Sequence, residues 1–299
     1  MRSVSLPEAA ALLRGGALVA FPTETVYGLG ARARDPVAVR QIFAAKGRPV
    51  DHPLIVHLAD AAGLADWAQV DSRALALAAA FWPGPLTLVL KRGPGVPDEV
   101  TGGLDTVGLR VPDHPLARAL IEEAGCGLAA PSANRFGRVS PTTAAHVWAE
   151  LGAQMPVLDG GPCAVGVEST IIDLSRPQAA LLRPGGVPVE AVEAAIGPVA
   201  RGGLTRAPGT LAAHYAPRTA LRLSAQPEAE AAALRAAGLS VAVLSYEDDA
   251  AYARALYADL RRLDTLGVDV LVAALPGAGG IGAAVADRLA RAARGAGLD

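Results

Sequence analysis

The feature that most constrains the fold is the order of strand-like and helix-like segments, which changes on either side of one segment rich in Gly and Pro. Around residues 198–218 these residues recur so often that no regular element fits, and we interpret 201–218 as a linker. Before it, several strand-like segments follow one another without a helix, which favours a mixed sheet. After it, strands and helices alternate strictly, which favours a parallel sheet. The sequence therefore predicts an α/β protein with a twisted mixed sheet in residues 1–200 and a small doubly wound, Rossmann-like domain in 219–299.

The individual elements follow from hydrophobic periodicity and from capping residues. Strands are predicted at 17–21, 54–58, 86–91, 107–111, 128–131, 155–158, 169–174, 180–183, 220–223, 240–245 and 269–274. Helices are predicted at 6–14, 36–46, 72–81, 114–124, 142–151, 189–196, 227–237, 249–263 and 281–294. N-caps are expected at Ser5, Asp35, Asp71, Asp113 and Thr142.

The composition and charge of the chain limit the classes of protein to which it can belong. Of 299 residues, 52% are hydrophobic, no apolar run approaches the length of a membrane span, and the N-terminus lacks a signal-peptide core. A net charge of −2 argues against a protein whose main task is to grip nucleic acid, although a local basic patch remains compatible with it. Cys126 and Cys163 match no metal or redox spacing, so we expect structural thiols in a reducing cytoplasm and no protein-bound metal.

Polar and cationic side chains cluster around the first apolar segments. Thr23 and Thr25 follow the first predicted strand and would point the same way in extended backbone. Lys46 and Arg48 flank the end of a predicted helix, and His57 ends the next strand. Each residue alone has an ordinary explanation, such as a cation that complements a helix dipole or a hydrogen-bonded core histidine. The residues lie where chemistry is usually placed, at the ends of predicted strands and of a helix.

More polar residues stand at the ends of later strands, where ligands bind in open α/β sheets. Arg110 and Arg183 each end a predicted strand, Ser132 and Asn134 follow another two residues apart, and Ser169 opens a further one. Cations with hydroxyl and amide groups suit a polyphosphate, and a separate Arg with hydroxyls suits a carboxylate. Surface ion pairs and turn hydrogen bonds are the alternative explanations. The residues alone indicate an α/β enzyme that binds a small anion.

Several well-known motifs are absent from the sequence. It contains no P-loop, no His-Glu-x-x-His, no Cys-x-x-Cys and no Gly-x-Ser-x-Gly. Four glycines at 277–282 precede the last helix, but a dinucleotide fingerprint would follow the first strand of its domain, so we interpret these glycines as a turn. The standard enzyme motifs are therefore absent.

The motifs that are present resemble the YrdC family of L-threonylcarbamoyladenylate synthases. The matching segments are Pro-Thr-Glu-Thr-Val-Tyr-Gly-Leu at 22–29, Lys-x-Arg-Pro at 46–49, Pro-Leu-Ile-Val-His at 53–57, Gly-Leu-Arg-Val-Pro at 108–112, Ser-x-Asn at 132–134 and Glu-Ser-Thr-Ile at 168–171. This resemblance covers roughly residues 5–200. The segments 207–217 and 286–292 resemble the linker and C-terminal domain of the longer, two-domain members.

The resemblance implies an enzyme, a nucleotidyltransferase that condenses L-threonine, bicarbonate (or CO2) and ATP to threonylcarbamoyl-AMP and pyrophosphate. It implies that Mg²⁺ arrives on the ATP phosphates. A partner complex would then transfer the threonylcarbamoyl group to an adenosine beside the anticodon of tRNAs that read codons beginning with A. Weak tRNA binding by the chain itself is compatible with the resemblance, and no membrane partner is implied.

The resemblance also implies which residues form the site. Threonine would be held by Thr25, His57, Arg110, Ser169 and the main chain near Ala130. ATP would be held by Lys46, Arg48, His52, Thr106, Ser132, Asn134, Ser140 and Arg183, with Tyr215 of the linker closing over it. Lys46 and Arg48 are the expected catalytic cations.

Two departures from the family pattern and two rival functions remain at this stage. His52 stands where Asn is expected, which puts one phosphate or base contact in doubt, and Ala207 stands where the linker usually has Ser. The first rival is a non-catalytic module that binds double-stranded RNA or tRNA, which the near-neutral charge and the lack of interleaved aromatic residues disfavour. The second is a carbamoyl-transfer enzyme, but its larger relatives carry acylphosphatase and zinc-finger-like segments that this chain lacks.

Overall fold

A large mixed sheet and a small parallel sheet form the framework of the molecule. A computed structural model describes residues 1–203 and 205–296, and within these residues it contains a nine-stranded sheet and a three-stranded sheet. Helices pack on both sheets. The predicted α/β fold class, with a mixed sheet followed by a Rossmann-like parallel sheet, is confirmed.

The described residues form strands and helices with the following bounds. The strands are β1 Val19–Phe21, β2 Gly28–Arg32, β3 Ile55–His57, β4 Leu86–Lys91, β5 Thr106–Arg110, β6 Leu128–Ala129, β7 Thr170–Asp173, β8 Ala180–Arg183, β9 Ala200–Arg201, β10 Ala220–Ser224, β11 Val241–Leu244 and β12 Val270–Ala274. The helices are α1 Leu6–Arg14, α2 Pro36–Lys46, α3 Ser72–Phe81, α4 Asp98–Thr101, α5 Pro115–Ala124, α6 Ala144–Leu151, α7 Val189–Ile196, α8 Pro227–Ala236, α9 Asp249–Asp264 and α10 Gly280–Gly295, with a 3₁₀ helix at Ala61–Asp66.

The order of strands in the large sheet brings distant segments of the chain together. That order is β1-β2-β6-β3-β5-β4-β7-β8-β9. The pairs β3/β5, β4/β7 and β8/β9 are parallel and the other pairs are antiparallel. In the register of β3 and β5, His57 lies opposite Arg110, so the last residues of two strands stand side by side.

The small sheet and its helices pack against loops of the part of the chain that forms the large sheet. Its order is β10-β12-β11 and both pairings are parallel. Helices α9 and α10 pack on each other, and their apolar faces join one core cluster with Leu271 of β12. Val26, Val139 and Val167 belong to the same cluster, although they lie in the part of the chain that forms the large sheet. The two parts therefore share an apolar interface.

Capping residues explain where half of the described α-helices begin. The side chains of Ser5, Asp35 and Asp71 accept hydrogen bonds from the first turns of α1, α2 and α3, as predicted. Two predicted caps are wrong by one residue. Thr143 caps α6 in place of Thr142, and His114 occupies the N-cap position of α5 without a side-chain hydrogen bond, so Asp113 is not a cap.

The strand predictions also need correction at a few places. Residues 155–158 form no strand, and Val157 makes only isolated bridges to Ser3 and Ala20. Strand β2 was not predicted, because its Gly-Leu-Gly sequence has low strand propensity and it is held by antiparallel pairing with β1 and β6. The short elements β9 and α4 were also missed.

Within the described residues, no helix combines the length and the hydropathy that crossing a bilayer requires. The longest helices, α9 and α10, have 16 residues each and carry charged residues on one side.

Loss of the Asp35 cap should destabilise the large-sheet part measurably. Asp35 Oδ1 accepts hydrogen bonds from the amides of Val37 (3.0 Å) and Ala38 (3.2 Å). We therefore expect Asp35→Ala to lower the free energy of unfolding by about 1 kcal/mol. Urea denaturation followed by tryptophan fluorescence measures this, because Trp67, Trp82 and Trp148 all lie before residue 200.

Asp113→Ala is the matched control, since the sequence predicted a cap there and the structure has none. It should change the free energy of unfolding by less than about 0.5 kcal/mol. Equal effects of the two substitutions would contradict the capping assignment.

Candidate functional site

One cleft gathers most of the residues that the sequence singled out. His57, Arg110 and Arg183 are the last residues of β3, β5 and β8, and all three line it. The cleft has a volume of about 650 Å³ including its open mouth. Its lining also contains Thr23, Thr25, Val26, Gly28, Lys46, Arg48, Ile55, Ala130, Pro131, Ser132, Asn134, Phe136, Gly137, Glu168, Ser169, Pro208, Gly209, His214 and Tyr215.

Lys46 reaches the cleft from the last turn of α2. Gly47 ends that helix in the left-handed conformation (φ 63°), which turns the chain away and leaves the lysine side chain inside. The Lys46 ammonium donates to the carbonyl oxygens of Ser132 (2.5 Å) and Asn134. Burial, with Arg48 nearby, lowers the pKa of Lys46 well below its ordinary value. The ammonium is thus held by main-chain dipoles, and among the described residues no carboxylate forms an ion pair with it.

Arg48 and Arg183 add two more buried guanidinium groups. Arg48 donates to the carbonyl of Pro53 (3.0 Å) and lies over the ring of Phe136, and burial lowers its pKa to about 10. Arg183 donates through Nε and Nη2 to the carbonyl of Ser169 (3.1 and 2.9 Å) and through Nη1 to that of Pro208 (3.0 Å). Burial lowers the pKa of Arg183 too. An anion entering the cleft would restore part of the solvation that these cations have lost.

Arg110 forms a second, separate polar group. Its guanidinium lies 2.6 Å from Glu24 Oε1 and donates to the hydroxyl of Thr25 (2.9 Å) and the carbonyl of Gly84 (3.2 Å). His57, beside it in register, is kept neutral, because burial and the charge of Arg110 lower its pKa to about 3. An Arg with a hydroxyl and a neutral imidazole can bind a carboxylate next to a small polar side chain.

The Thr-x-Thr pair is arranged differently from the sequence expectation. Residues 23–26 form a turn, not a strand, and the Thr23 hydroxyl donates to the carbonyl of Val26 (2.6 Å) while accepting from the amides of Thr25 and Val26. The Thr23 and Thr25 hydroxyls remain 2.8 Å apart. Thr23 therefore fixes the loop, and Thr25 is the hydroxyl directed at Arg110.

The covering segment, residues 208–215, lies between the two sheets in sequence and covers the cleft. Tyr215 has a left-handed backbone (φ 61°), and its ring stacks on Tyr257 of α9 at 5.7 Å. The Tyr215 hydroxyl packs so closely on Gly209 that a Cβ there would lie 2.2 Å away, so glycine is required on steric grounds. His214 packs between Phe136 and Tyr215, and burial lowers its pKa to about 3.

The cleft also contains a carboxylate that the sequence analysis did not assign to the site. Glu168 is buried and accepts hydrogen bonds from Ser140 Oγ (2.6 Å), Tyr257 OH (2.8 Å) and Arg288 Nε (2.7 Å). Although burial alone would raise its pKa, Arg288 and Arg183 lower it to about 2. The signal in the sequence was its place beside Ser169, whereas its partners 89 and 120 residues away had no local signal.

Most predicted site residues meet in the cleft and three lie outside it. His52 stacks edge-on against Phe136, Thr106 lines a smaller neighbouring cavity with Arg206, and Ser140 stands behind Glu168. The residues that line the cleft are Thr25, Lys46, Arg48, His57, Arg110, Ala130, Ser132, Asn134, Ser169, Arg183 and Tyr215. Their individual roles remain predictions.

Two family models cover almost the whole chain. The Sua5/YciO/YrdC model, described as "Telomere recombination", matches residues 11–185. The Sua5 C-terminal model, described as "Threonylcarbamoyl-AMP synthase, C-terminal domain", matches residues 187–294.

Relatives of similar length carry the same description. The chain is 44% identical to the threonylcarbamoyl-AMP synthase of Pyrococcus abyssi, over 95% of the chain and 92% of the relative. It is 42% identical to that of Bacillus subtilis, over 97% of the chain and 93% of the relative. The crystal structure of P. abyssi Sua5 complexed with L-threonine superimposes with a TM-score of 0.91 at 41% identity, covering 98% of this chain and 96% of the other.

The neutral buried histidines predict how stability depends on pH. The folded-state pKa values of His57 and His214 lie near 3, below the ordinary value of 6.5, so the unfolded chain binds more protons as the solution is acidified. The stability that these two neutral histidines contribute to the folded state is complete above about pH 6.5. It is lost as the pH falls from about 6.5 to 3. At pH 5.5 each histidine should lower the free energy of unfolding by about 1.4 kcal/mol relative to pH 7.5.

Urea midpoints at pH 7.5 and 5.5 measure this loss. His57→Gln should reduce the difference between the two pH values, whereas His52→Gln, at a partly exposed position, should leave most of it. An unchanged difference in His57→Gln would show that His57 is not the neutral buried group described here.

Proposed function

We propose that this chain condenses L-threonine, bicarbonate and ATP to threonylcarbamoyl-AMP and pyrophosphate, since it belongs to the Sua5/YciO/YrdC family of threonylcarbamoyl-AMP synthases. The observation that carries the proposal is a single cleft with two different ends. Three buried cations form one end, and Arg110 with Thr25 and His57 forms the other. A reaction that joins an amino acid to a nucleotide needs both ends in one enclosure.

The cationic end suits the triphosphate of ATP. Lys46, Arg48 and Arg183 are held by carbonyl oxygens, which leaves their positive charge available to phosphate oxygens. We assign Ser132 and Asn134, on the loop that also binds the Lys46 ammonium, to the nucleotide. We assign Tyr215 to the cover over the nucleotide, and His52, Thr106 and Ser140 to supporting positions around it.

The other end suits L-threonine. Arg110 would bind the carboxylate, and Thr25, His57 and Ser169 would surround the small hydroxyl side chain and the amine. Main chain near Ala130 completes this end. The P. abyssi relative was crystallised with L-threonine, which supports the assignment of this substrate.

The reaction follows from placing the two substrates together. The threonine amine attacks bicarbonate to form a carbamate and release water. A carbamate oxygen then attacks the α-phosphorus of ATP, the bond from that phosphorus to the bridging oxygen breaks, and pyrophosphate leaves. No residue forms a covalent intermediate, so catalysis consists of positioning and of charge stabilisation by Lys46 and Arg48. On this mechanism the enzyme is a nucleotidyltransferase.

Mg²⁺ would enter with the substrate. Among the residues that the structure describes there is no group of three or more His, Cys, Asp or Glu that could hold a metal ion. We propose that Mg²⁺ is bound by the ATP phosphates and adds to the charge neutralisation by the cations.

The product would pass to a complex that transfers threonylcarbamoyl to tRNA. Because ATP and tRNA meet in the cytoplasm, we place the reaction there.

Pyrophosphate release tests the reaction. Purified protein with ATP and Mg²⁺ should release pyrophosphate only when L-threonine and bicarbonate are both present, because the attacking carbamate contains both. Omission of either should reduce release to background. Folded protein that releases none under any combination, yet binds tRNA with steep salt dependence, would instead support the RNA-binding function.

The two lysines of the chain supply a matched pair of variants. Lys46→Ala should reduce kcat/KM by at least about a hundredfold, because it removes a buried charge at the triphosphate. Lys91→Ala should leave activity unchanged, since Lys91 is exposed and pairs with Asp105 at the far end of β4. Retained activity in folded Lys46→Ala would remove Lys46 from the site.

A further inference from the structure

We propose that Arg288, on α10, is a positioning residue of the nucleotide site that neutralises Glu168 and so leaves Arg183 available to the nucleotide. The inference rests on the proposed function, because it concerns the ATP end of the same cleft. It adds to the proposed nucleotide site a residue of the C-terminal part, on the other side of the interface between the two parts of the molecule. The sequence had singled out the segment 286–292 only as one that resembles its relatives.

Arg288 is completely buried and each side of its guanidinium has a partner. Nε donates to Glu168 Oε2 (2.7 Å), Nη1 to Asp287 Oδ2 (2.7 Å) and Nη2 to the carbonyl of Pro184 (3.0 Å). The guanidinium also lies 5.2 Å from the centre of the Tyr215 ring. One side chain of α10 thus contacts the end of β8, the cleft carboxylate and the covering segment.

Glu168 is an unusual neighbour for a polyphosphate. It lines the same cleft as Lys46, Arg48 and Arg183 and is ionised, since its pKa is about 2. An uncompensated carboxylate in a low-dielectric cleft would repel ATP strongly. The charge of Arg288, 2.7 Å from its oxygen, cancels this repulsion.

The contacts of Arg183 explain why the charge of Glu168 must be neutralised by a residue that does not line the cleft. Arg183 donates to the carbonyl and hydroxyl of Ser169, the residue next to Glu168, and to the carbonyl of Pro208. Arg183 is the other cation whose charge lowers the pKa of Glu168, so without Arg288 it would be drawn to that carboxylate. The cation assigned to the nucleotide would then be held by the protein's own carboxylate.

The same turn of α10 also holds the covering segment. Asp287 bridges Arg288 and Arg291, and Arg291 donates to the carbonyl of Leu211. The carbonyl of Arg291 accepts from the amide of His214 (3.3 Å). The geometry of the cover and the charge balance of the cleft are therefore set by adjacent residues on one helix.

Charge removal and its compensation test the proposal. We expect Arg288→Met to weaken binding of a non-hydrolysable ATP analogue, and to raise the KM for ATP, by about tenfold. Glu168→Gln/Arg288→Met should restore binding to within about threefold of Glu168→Gln alone, because the repelling carboxylate is gone. Arg288→Lys, which keeps the charge, should lie closer to wild type than Arg288→Met. Calorimetry of the analogue and steady-state kinetics measure these effects.

Arg294→Met is the control, because Arg294 is an exposed arginine of the same helix. If Arg288 only joins the two parts of the molecule, the double variant will bind the analogue no better than Arg288→Met, and that result overturns the proposal. If Arg288→Met does not fold, the comparison of the double variant with Glu168→Gln decides alone, and a loss beyond about threefold overturns the proposal.

Failure of this proposal is distinguishable from failure of the reaction. Wild-type turnover together with unchanged nucleotide binding in Arg288→Met overturns the role of Arg288 only. Wild-type binding of the analogue without pyrophosphate release overturns the reaction and leaves the binding test of Arg288 intact. A wild-type protein that binds no nucleotide overturns both.

Discussion

Burial of several cations in one cleft is the constraint on which the rest of the molecule depends. Lys46, Arg48 and Arg183 are 4%, 7% and 3% exposed, and burial lowers the pKa of each. Such groups are stable only where oxygen atoms replace the lost water. The oxygen atoms come from loops at residues 53, 132–134, 169 and 208, which are distant in sequence. The strand order that brings these loops together is therefore a requirement of the charges as well as of the core.

The choice of main-chain carbonyls as partners has a functional side. A carboxylate would satisfy a buried cation more strongly and would also cancel its charge, whereas a carbonyl solvates it and leaves the net charge in place. At the other end of the cleft the opposite solution is used, because Arg110 is paired with Glu24. The proposed nucleotide end of the cleft thus carries more cationic charge without a direct carboxylate partner than the proposed threonine end.

The sequence predicted the regular elements well wherever local chemistry determines them. Asp35 and Asp71 were recognised as caps because the capping interaction is made within one turn of the helix. β2 was missed because its glycines carry no strand signal, and pairing with both neighbours overrides their propensity. Residues 155–158 have an apolar pattern, but they form only isolated bridges at Val157, with backbone hydrogen bonds to Arg2, Val4 and Ala20. An apolar pattern does not reveal how many residues will pair.

Part of the site was also predictable from local sequence pattern. His57, Arg110 and Arg183 end strands, and strand ends are where ligands bind in such sheets, so their types and positions were informative. The pairing of Glu168 with Arg288 was not predictable from the residues, because it depends on how two sheets pack across an interface. Thr23 lines the cleft with Thr25, but its hydroxyl closes its own turn.

The contact between Glu168 and Arg288 also has a consequence for how the protein is made. The two residues are 120 positions apart, so at about 5–20 residues per second the ribosome adds Arg288 roughly 6–24 s after Glu168. The large sheet is complete in sequence by Arg201 and can fold during this interval. Until α10 is made, Glu168 lacks the Arg288 partner that it has in the complete structure. On our proposal, nucleotide binding therefore depends on completion of the polypeptide through α10.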